Sequence, residues 1–276
     1  MQEIELTKEL LKKLQMTQYE MLEELDRICR KENINYSIDG GTLLGAARDG
    51  HIIPWDDDID IVMLREDYEK FFTVCKTEMD AERFFLQEHR TDPECNIGYA
   101  RIRRRNTVYA RAGHEHMKYQ GGIFIDIFIL DGVPDCKVLR PLHRFWCFAL
   151  RKFLWAKSGW KLHESAFWRG IYRIWAKIPF AWTFRRIGAL ARRGNRKPRE
   201  IVRHLTHPYP DPKTCPYGVP YDLFTEYTEI ELEGKNFMCV RDYDRYLTLL
   251  YGDYMQLPPE EKRKPHIHLT RLEFAE

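Results

Sequence analysis

The chain has 276 residues, 44% of them hydrophobic, which allows a sizeable core and excludes a wholly disordered protein. Its seven cysteines are an odd number without a CxxC spacing, so they argue against a disulfide scaffold and a four-cysteine zinc site and favour a reducing compartment. The net charge of +2 conceals a division, because residues 137–199 hold 17 Lys or Arg against one acid and the rest of the chain carries −14. Six of the seven tryptophans also lie in this basic segment.

Residues 4–31 form the first predicted element. Leucine, methionine and isoleucine recur there at helical spacing with charges between them, which predicts a long amphipathic helix that covers the core. A charged helical start differs from a signal peptide, and the longest apolar run in the middle of the chain, 145–150, is too short to span a bilayer. We therefore expect a cytoplasmic protein.

A glycine turn connects the first predicted strand, 34–39, to a predicted helix at 42–48. Gly40, Gly41 and Thr42 occupy this turn. Glycine lets the backbone approach an anion closely, and the first free N–H groups of a helix favour negative charge. The turn therefore predicts a phosphate site, with an ordinary helix cap as the alternative.

Four aspartates surround the start of the second predicted strand, 58–64: Asp56, Asp57, Asp58 and Asp60. Because side chains alternate along a strand, Asp58 and Asp60 point to one face and Asp57 to the other. Two carboxylates on one face repel each other unless a cation lies between them, and Mg²⁺, or Mn²⁺, is the hard ion that prefers oxygen ligands. The pair predicts a metal site, with an acidic loop as the alternative.

The remaining elements follow from the same periodicities. A helix is predicted at 66–79, and strands are predicted at 84–88, 97–103, 107–111 and 123–130. Near the end of the chain, 227–240 predicts a hairpin about Gly234, and 241–251 predicts a helix that ends at Gly252.

The residues around the glycine turn carry a resemblance. Gly-Gly-Thr followed by a strand-borne Asp-x-Asp resembles the nucleotidyltransferase fold, and the string GGTLLGAARDGHIIPWDDDIDIVM resembles the LicD family, as does the closing stretch YGDYMQLPPEEKRKPHIH. The resemblance implies transfer of phosphocholine, or of ribitol phosphate in fukutin-related proteins, from a CDP-activated donor to a glycan. It implies that Gly41, Thr42 and Arg48 hold phosphate. A choline headgroup needs aromatic faces, for which Trp55, Tyr36 and Tyr99 are candidates.

One carboxylate interrupts the apolar strand predicted at 123–130. An unpaired buried charge costs several kcal/mol, so Asp126 needs a metal, another cation or a function, and an ion pair with an arginine is the alternative. In nucleotidyltransferase-like sites the third carboxylate comes from a neighbouring strand. The resemblance therefore makes Asp126 the third metal ligand or the general base.

The basic run RIRRR at 101–105 covers the end of the strand predicted at 97–103 and the start of the connection to the strand predicted at 107–111. If it is extended, Arg101 and Arg103 share a face, and guanidinium groups fit phosphate well. The LicD-like pattern of a basic strand followed by Asn-Thr favours Arg101 or Arg103 as a donor contact. A solvated hairpin is the alternative.

The segment 136–205 predicts basic helices rich in tryptophan. Trp168, Tyr172 and Trp175 recur at helical spacing while arginines and lysines follow another stripe. This composition suits a membrane interface, where aromatic rings lie at headgroup level and basic side chains meet anionic lipid. Nucleic acid is the second interpretation, and helices with a solvated basic face are the third.

Together these features predict an α+β protein with a nucleotidyltransferase-like mixed sheet flanked by helices. We expect a catalytic core at 1–135, a basic Trp-rich helical insertion at 136–205 and a C-terminal segment, 206–276, that completes the catalytic domain. A metal held by Asp58, Asp60 and Asp126 is expected to bridge the diphosphate of a CDP-alcohol such as CDP-choline.

The predicted reaction moves phosphocholine to a hydroxyl of a cell-surface glycan, or of its lipid-linked precursor, and releases CMP. The enzyme is expected on the inner face of the cell membrane, and nucleic acid is not an expected partner. Two rivals are a nucleotidyltransferase that uses an NTP and releases pyrophosphate, and a non-catalytic membrane- or RNA-binding protein.

Overall fold

The computed structural model describes residues 4–114, 116–208 and 215–275. Within these ranges the helices are α1 (Lys8–Glu32), α2 (Gly40–Asp49), α3 (Arg65–Glu78), α4 (Arg140–Leu162), α5 (Ala166–Trp175), α6 (Phe180–Gly194) and α7 (Tyr243–Tyr251), with short 3₁₀ helices at Tyr221–Phe224 and Glu260–Lys262. The strands are β1 (Ser37–Asp39), β2 (Asp60–Leu64), β3 (Phe84–Gln87), β4 (Ala100–Arg104), β5 (Val108–Arg111), β6 (Phe124–Gly132), β7 (Ile201–His204), β8 (Val219–Pro220), β9 (Tyr227–Leu232), β10 (Lys235–Val240) and β11 (Leu269–Glu273). The predicted α+β class is confirmed.

Helix α1 packs on the sheet and supplies much of the core. The Thr7 side chain accepts a hydrogen bond from the backbone N–H three residues on, and Asn33 ends the helix in the left-handed conformation. The apolar stripe that predicted this helix is buried, at Leu14, Met21, Leu22, Leu25 and Ile28. The Gln18 amide ties the helix to the sheet, because it donates to the carbonyl oxygens of Asp57 and Phe124 at 3.0 and 3.2 Å.

The main sheet of the described residues has seven strands. Five follow the order β1-β2-β6-β4-β3, while β7 pairs with β6 and β8 pairs with β7. Strands β2 and β6 are parallel, and the other pairs are antiparallel. On one edge of β6, β4 pairs with residues 124–127 and β7 pairs with residues 130–132. All nine residues of β6 are buried, which suits a central strand.

Two ribbons lie outside the main sheet. The antiparallel pair β9–β10 confirms the hairpin predicted about Gly234, which has φ of +80°. The second ribbon corrects a prediction, because β5 pairs with β11 while β4 pairs with β3 and β6. The solvated hairpin considered for residues 101–105 is therefore wrong, and Arg101 and Arg103 are buried.

The two strands that flank the glycine turn and the aspartate run begin later than predicted. Strand β1 starts at Ser37 rather than at residue 34, and β2 starts at Asp60 rather than at residue 58. Asp58 therefore lies in the connection before β2, where the alternation of strand side chains no longer fixes the direction of its side chain.

The basic segment forms α4, α5 and α6 between β6 and β7. A second apolar cluster joins α4 and α6 and is built from Cys147, Leu150, Leu154, Phe180, Phe184, Ile187, Ala191 and Leu205. Strand β7 lies within the predicted domain 136–205 but pairs with β6 in the main sheet. The proposed domain boundaries and the assignment of this segment as an insertion stay predictions. Among the described residues, no helix is both long and apolar enough to cross a membrane.

Candidate active site

A row of polar residues crosses five strands of the main sheet. Asp39 of β1 lies opposite Asp60 of β2, and Asp60 lies opposite Asp126 of β6. Asp126 lies opposite Arg101 of β4, which in turn lies opposite Gln87 of β3. Because directly paired residues point to the same face of a sheet, the three carboxylates share one face with the guanidinium.

Asp126 and Arg101 form a buried ion pair. Arg101 Nε donates to Asp126 Oδ1 at 2.6 Å and Nη2 donates to Oδ2 at 3.3 Å, and the two residues are 5% and 7% exposed. Burial acts to lower the pKa of Arg101, but the carboxylate of Asp126 overcomes it and raises that pKa above its ordinary value. The structure thus gives Asp126 the arginine partner that was the alternative to a metal.

Unlike Asp126, the carboxylates of Asp56, Asp58 and Asp60 lie next to one another and repel. Burial, followed by repulsion from Asp58 and Asp126, raises the pKa of Asp60 well above the ordinary range. Burial, with repulsion from Asp57 and Asp126, raises the pKa of Asp58 to about 6. Burial, followed by repulsion from Asp58 and Asp57, raises the pKa of Asp56 well above its ordinary range.

The start of α2 lies directly against these carboxylates. Gly40 has φ of +54°, which favours glycine, and a side-chain carbon at Gly41 would collide with Oδ2 of Asp56. The Asp60 N–H donates to Thr42 Oγ1 at 3.0 Å, so this hydroxyl ties α2 to β2. The glycine turn therefore brings unhindered backbone next to the acidic cluster, as a phosphate site bridged by a cation requires.

Asp57 points away from this cluster, as predicted, although it lies in the connection before β2 and not in the strand. Its Oδ2 accepts hydrogen bonds from the N–H groups of His266 and Ile267 at 2.6 and 3.0 Å, and the residue is 4% exposed. The carboxylate therefore anchors the C-terminal segment beneath the candidate site.

Arg103, Trp55 and Arg48 were predicted to contact the donor, but in the structure each contacts other protein groups. Arg103 donates from Nε to Gln87 Oε1 at 2.5 Å and from Nη1 to Gly122 O at 2.6 Å, and burial lowers its pKa to about 9. The Trp55 ring lies 5.7 Å from the guanidinium of Arg263.

Arg48 lies in the last turn of α2, at the far end from the glycine turn. Its Nε donates to Asp49 at 2.9 Å, and its Nη2 is buried without a hydrogen-bond partner among the described residues. The roles predicted for Arg48, Trp55 and Arg103 stay predictions.

The sequence arguments missed three residues that belong to this cluster. Asp39 is 1% exposed, burial raises its pKa to about 6, and Tyr246 donates to its Oδ1 at 2.8 Å. Burial and repulsion from Asp58 raise the pKa of Asp56. Arg111 of β5 lowers the pKa of Asp58, and its own Nε is buried with no hydrogen-bond partner in the described part of the chain. Asp39 could have been found as a charge at the end of a predicted strand before a glycine turn, and Asp56 as a member of the aspartate run, whereas no sequence pattern indicated Arg111.

The donor set fits a hard divalent cation. Asp56, Asp58 and Asp60 retain some exposure to solvent, and their raised pKa values mean that a cation is the group that would relieve their repulsion. In their present conformations, no three Asp, Glu, His or Cys side chains within the described ranges make a complete metal cage. Mg²⁺ sites commonly use one or two carboxylates and complete their coordination with water and substrate phosphates.

Comparison with known proteins identifies a family. Residues 33–119 match the model described as LicD/FKTN/FKRP, nucleotidyltransferase domain. The chain is 29% identical over 264 residues to lipopolysaccharide cholinephosphotransferase LicD of Haemophilus influenzae, covering 93% of this chain and 95% of that protein. Shorter matches are to uncharacterized proteins of Rickettsia prowazekii, 35% identical over 21% of this chain and 29% of that protein, and of Rickettsia typhi, 47% identical over 18% and 16%. The chain is therefore similar to the LicD family, through its nucleotidyltransferase domain at residues 33–119 and through a cholinephosphotransferase over nearly its whole length.

Proposed function

We propose that this protein transfers phosphocholine, or a related alcohol phosphate, from CDP-choline or another CDP-alcohol to a hydroxyl of a glycan or of its lipid-linked precursor. The observation that carries the proposal is the acidic cluster of Asp56, Asp58 and Asp60, which lies against the glycine turn at Gly40 and Gly41. Similarity to the Haemophilus cholinephosphotransferase over 93% of the chain supports the choice of phosphocholine.

A divalent cation, Mg²⁺ or Mn²⁺, would be held by Asp58 and Asp60, with Asp126 as the predicted third ligand. When bound, it would offset the negative charge of the donor diphosphate and of the departing CMP. The backbone at the start of α2 would hold donor phosphate, because the first N–H groups of a helix favour an anion.

The proposed reaction makes one bond and breaks one. The acceptor hydroxyl oxygen attacks the phosphorus that bears choline, the bond from that phosphorus to the oxygen of CMP breaks, and CMP leaves. The hydroxyl proton passes to Asp126, which Arg101 holds in one orientation through two hydrogen bonds.

We place the enzyme on an anionic membrane surface, at the inner face of the cell membrane. Of the fifteen exposed large apolar side chains in the described part of the chain, eleven lie between Val138 and Ile174, on and around α4 and α5. The same region carries the excess of basic residues. Exposed aromatic and basic side chains together support contact with anionic lipid headgroups, near a lipid-linked acceptor.

A donor screen tests the chemistry. The full chain with Mg²⁺ is offered CDP-choline, CDP-ribitol, CDP-glycerol and NTPs, and the released nucleotide is measured. Release of CMP from a CDP-alcohol, lost in Asp60→Asn, is the expected result. Release of pyrophosphate from an NTP without CMP would instead establish a nucleotidyltransferase. Failure of every donor, with no divalent ion bound, would leave the non-catalytic membrane or RNA-binding protein.

A further inference from the structure

A small cavity of about 100 Å³ lies between α4, β7 and the residues that follow β7. One face of α4 lines it with Arg144, Cys147, Phe148 and Arg151, which follow the i, i+3, i+4, i+7 spacing of a helix face. Arg203 of β7 lies on the opposite wall. Three guanidinium groups from two elements therefore converge on one cavity.

These three arginines lack the carboxylate partners that neighbouring arginines have. Arg65 is paired with Asp131, and Arg199 with Asp135. Within the described ranges, no carboxylate lies in ion-pair distance of the three arginines that line the cavity, which are Arg144, Arg151 and Arg203. The Nε of Arg203 has only the carbonyl oxygen of His204 as its acceptor, at 3.2 Å.

Burial and mutual repulsion disfavour the positive charges of the arginines that line the cavity. Burial lowers the pKa of Arg203, and the charges of Arg144 and Arg151 lower it further. Burial likewise lowers the pKa of Arg151. Like charges that converge at a partly buried site are unfavourable unless an anion binds between them.

The size and chemistry of the cavity select the anion. The small volume of about 100 Å³ favours a small phosphate anion over a whole nucleotide. Guanidinium groups bind phosphate oxygens in pairs, and their planar geometry is matched to this anion.

Two neighbours connect the cavity to a lipid surface and to the candidate active site. Phe148 is 49% exposed, and Phe145 and Trp146, which precede it on α4, are also exposed. On the inner side, the His207 ring lies 4.8 Å from that of Phe128, and the charge of Asp126 acts on this histidine. The cavity thus lies between an apolar surface and the carboxylates.

We propose that Arg144, Arg151 and Arg203 form a phosphate-binding site that holds a phosphate group of the acceptor while its hydroxyl reaches the carboxylates. The identity of the ligand as acceptor rests on the proposed function, whereas phosphate binding itself does not. The phosphate belongs either to a lipid that carries the glycan or to a phosphorylated acceptor free in solution.

Binding of inorganic pyrophosphate to the full chain, measured by calorimetry in EDTA, tests the site without metal or donor. We expect saturable binding that is at least tenfold weaker in Arg151→Gln and in Arg203→Gln. The matched control is Arg193→Gln, which removes an exposed charge of α6 outside the cavity and should bind as the unmodified chain does. Because the variants relieve repulsion, their melting temperatures without ligand should be unchanged or higher, which separates lost binding from lost folding.

Vesicles distinguish the two sources of phosphate. A lipid phosphate predicts stronger binding to vesicles with phosphatidic acid than to vesicles of equal charge with phosphatidylglycerol, and this preference should disappear in Arg151→Gln but not in Arg193→Gln. An acceptor free in solution predicts pyrophosphate binding without the vesicle preference. Equal binding of pyrophosphate by all three variants and the unmodified chain would overturn the site. Because this binding assay contains no CDP-alcohol, such a result would not contradict the proposed transfer reaction. Conversely, a failure to release CMP in the donor screen would not contradict the phosphate-binding site.

Discussion

Asp60 lies directly beside Asp126 in the parallel pair of β2 and β6, yet only Asp126 has a cation as its partner. Arg101 neutralises Asp126, while Asp60 faces the carboxylates of Asp56 and Asp58, and burial and their repulsion raise its pKa. The two adjacent aspartates therefore differ in what they require, because Asp126 is already compensated and Asp60 needs an ion from outside the chain.

The first prediction concerns Asp60. Its pKa is raised in the folded protein, so its ionised form opposes folding above that pKa, and Asp60→Asn should keep or raise the melting temperature at pH 7. The same change should abolish CMP release and weaken Mn²⁺ binding, as measured by electron paramagnetic resonance. A large loss of melting temperature would show that Asp60 serves the fold instead.

Asp57 provides a control for Asp60, because it lies three residues away in the chain and its carboxylate serves the fold. Its carboxylate accepts two backbone N–H bonds from the C-terminal segment, and hydrogen bonds to charged groups are worth about 1.5–3 kcal/mol each. Asp57→Ala should therefore lower the free energy of unfolding by at least about 1.5 kcal/mol, measured by urea denaturation, while metal binding survives. If Asp57→Ala abolished metal binding and Asp60→Asn did not, our assignment of the two faces would be wrong.

The ion pair of Arg101 and Asp126 predicts strong coupling in a double-mutant cycle. Removal of one partner leaves a buried uncompensated charge, at a cost of about 3–5 kcal/mol, whereas removal of both can be nearly neutral. Arg101→Met and Asp126→Asn should each lower the free energy of unfolding. The double variant should lose less than the sum of the two single losses. Urea denaturation of the four proteins measures the coupling, and additive effects would contradict a tight pair.

The sequence predicted the elements of this site better than their contacts. The sequence prediction that Asp60 and Asp57 point in opposite directions is correct, although Asp57 precedes β2, and the apolar run around Asp126 identified a buried strand. The partnership of Asp126 with Arg101 depends on the register between β4 and β6, which local periodicity does not specify.

The same limit explains two errors about neighbouring segments. Residues 101–105 and 107–111 are adjacent in sequence and gave a local hairpin as the simplest alternative, but β5 pairs with β11 at the other end of the chain. Asp56 was missed because it precedes β2, where no strand rule gives the direction of a side chain.

The proposed membrane contact predicts different effects for two exposed apolar residues, one inside the basic segment and one outside it. Phe145 of α4 is 59% exposed and Leu257, outside the basic segment, is 51% exposed. Insertion of a phenylalanine side chain into lipid contributes about 1.5–3 kcal/mol, so Phe145→Ser should weaken binding to anionic vesicles by about tenfold or more, and Leu257→Ser should not. Co-sedimentation should also show that added salt weakens binding and that neutral vesicles bind less. Indifference to anionic vesicles combined with tight, salt-sensitive RNA binding would favour the nucleic-acid interpretation.

The last prediction concerns the direction of attack and the role of Asp126. If the acceptor oxygen attacks the phosphorus that bears choline, the product carries a phosphodiester to choline, whereas nucleotidyl transfer leaves CMP on the acceptor. Loss of general-base help should lower turnover of Asp126→Ala by about a hundredfold or more, with a smaller effect on donor binding. Because Asp126→Ala also leaves Arg101 unpaired, Arg101→Met serves as the comparison, since it disturbs the same ion pair but keeps the base. Mass spectrometry of the glycan product decides the chemistry: added phosphocholine supports the assignment, added CMP overturns it, and full activity of Asp126→Ala would exclude this carboxylate as base and as metal ligand.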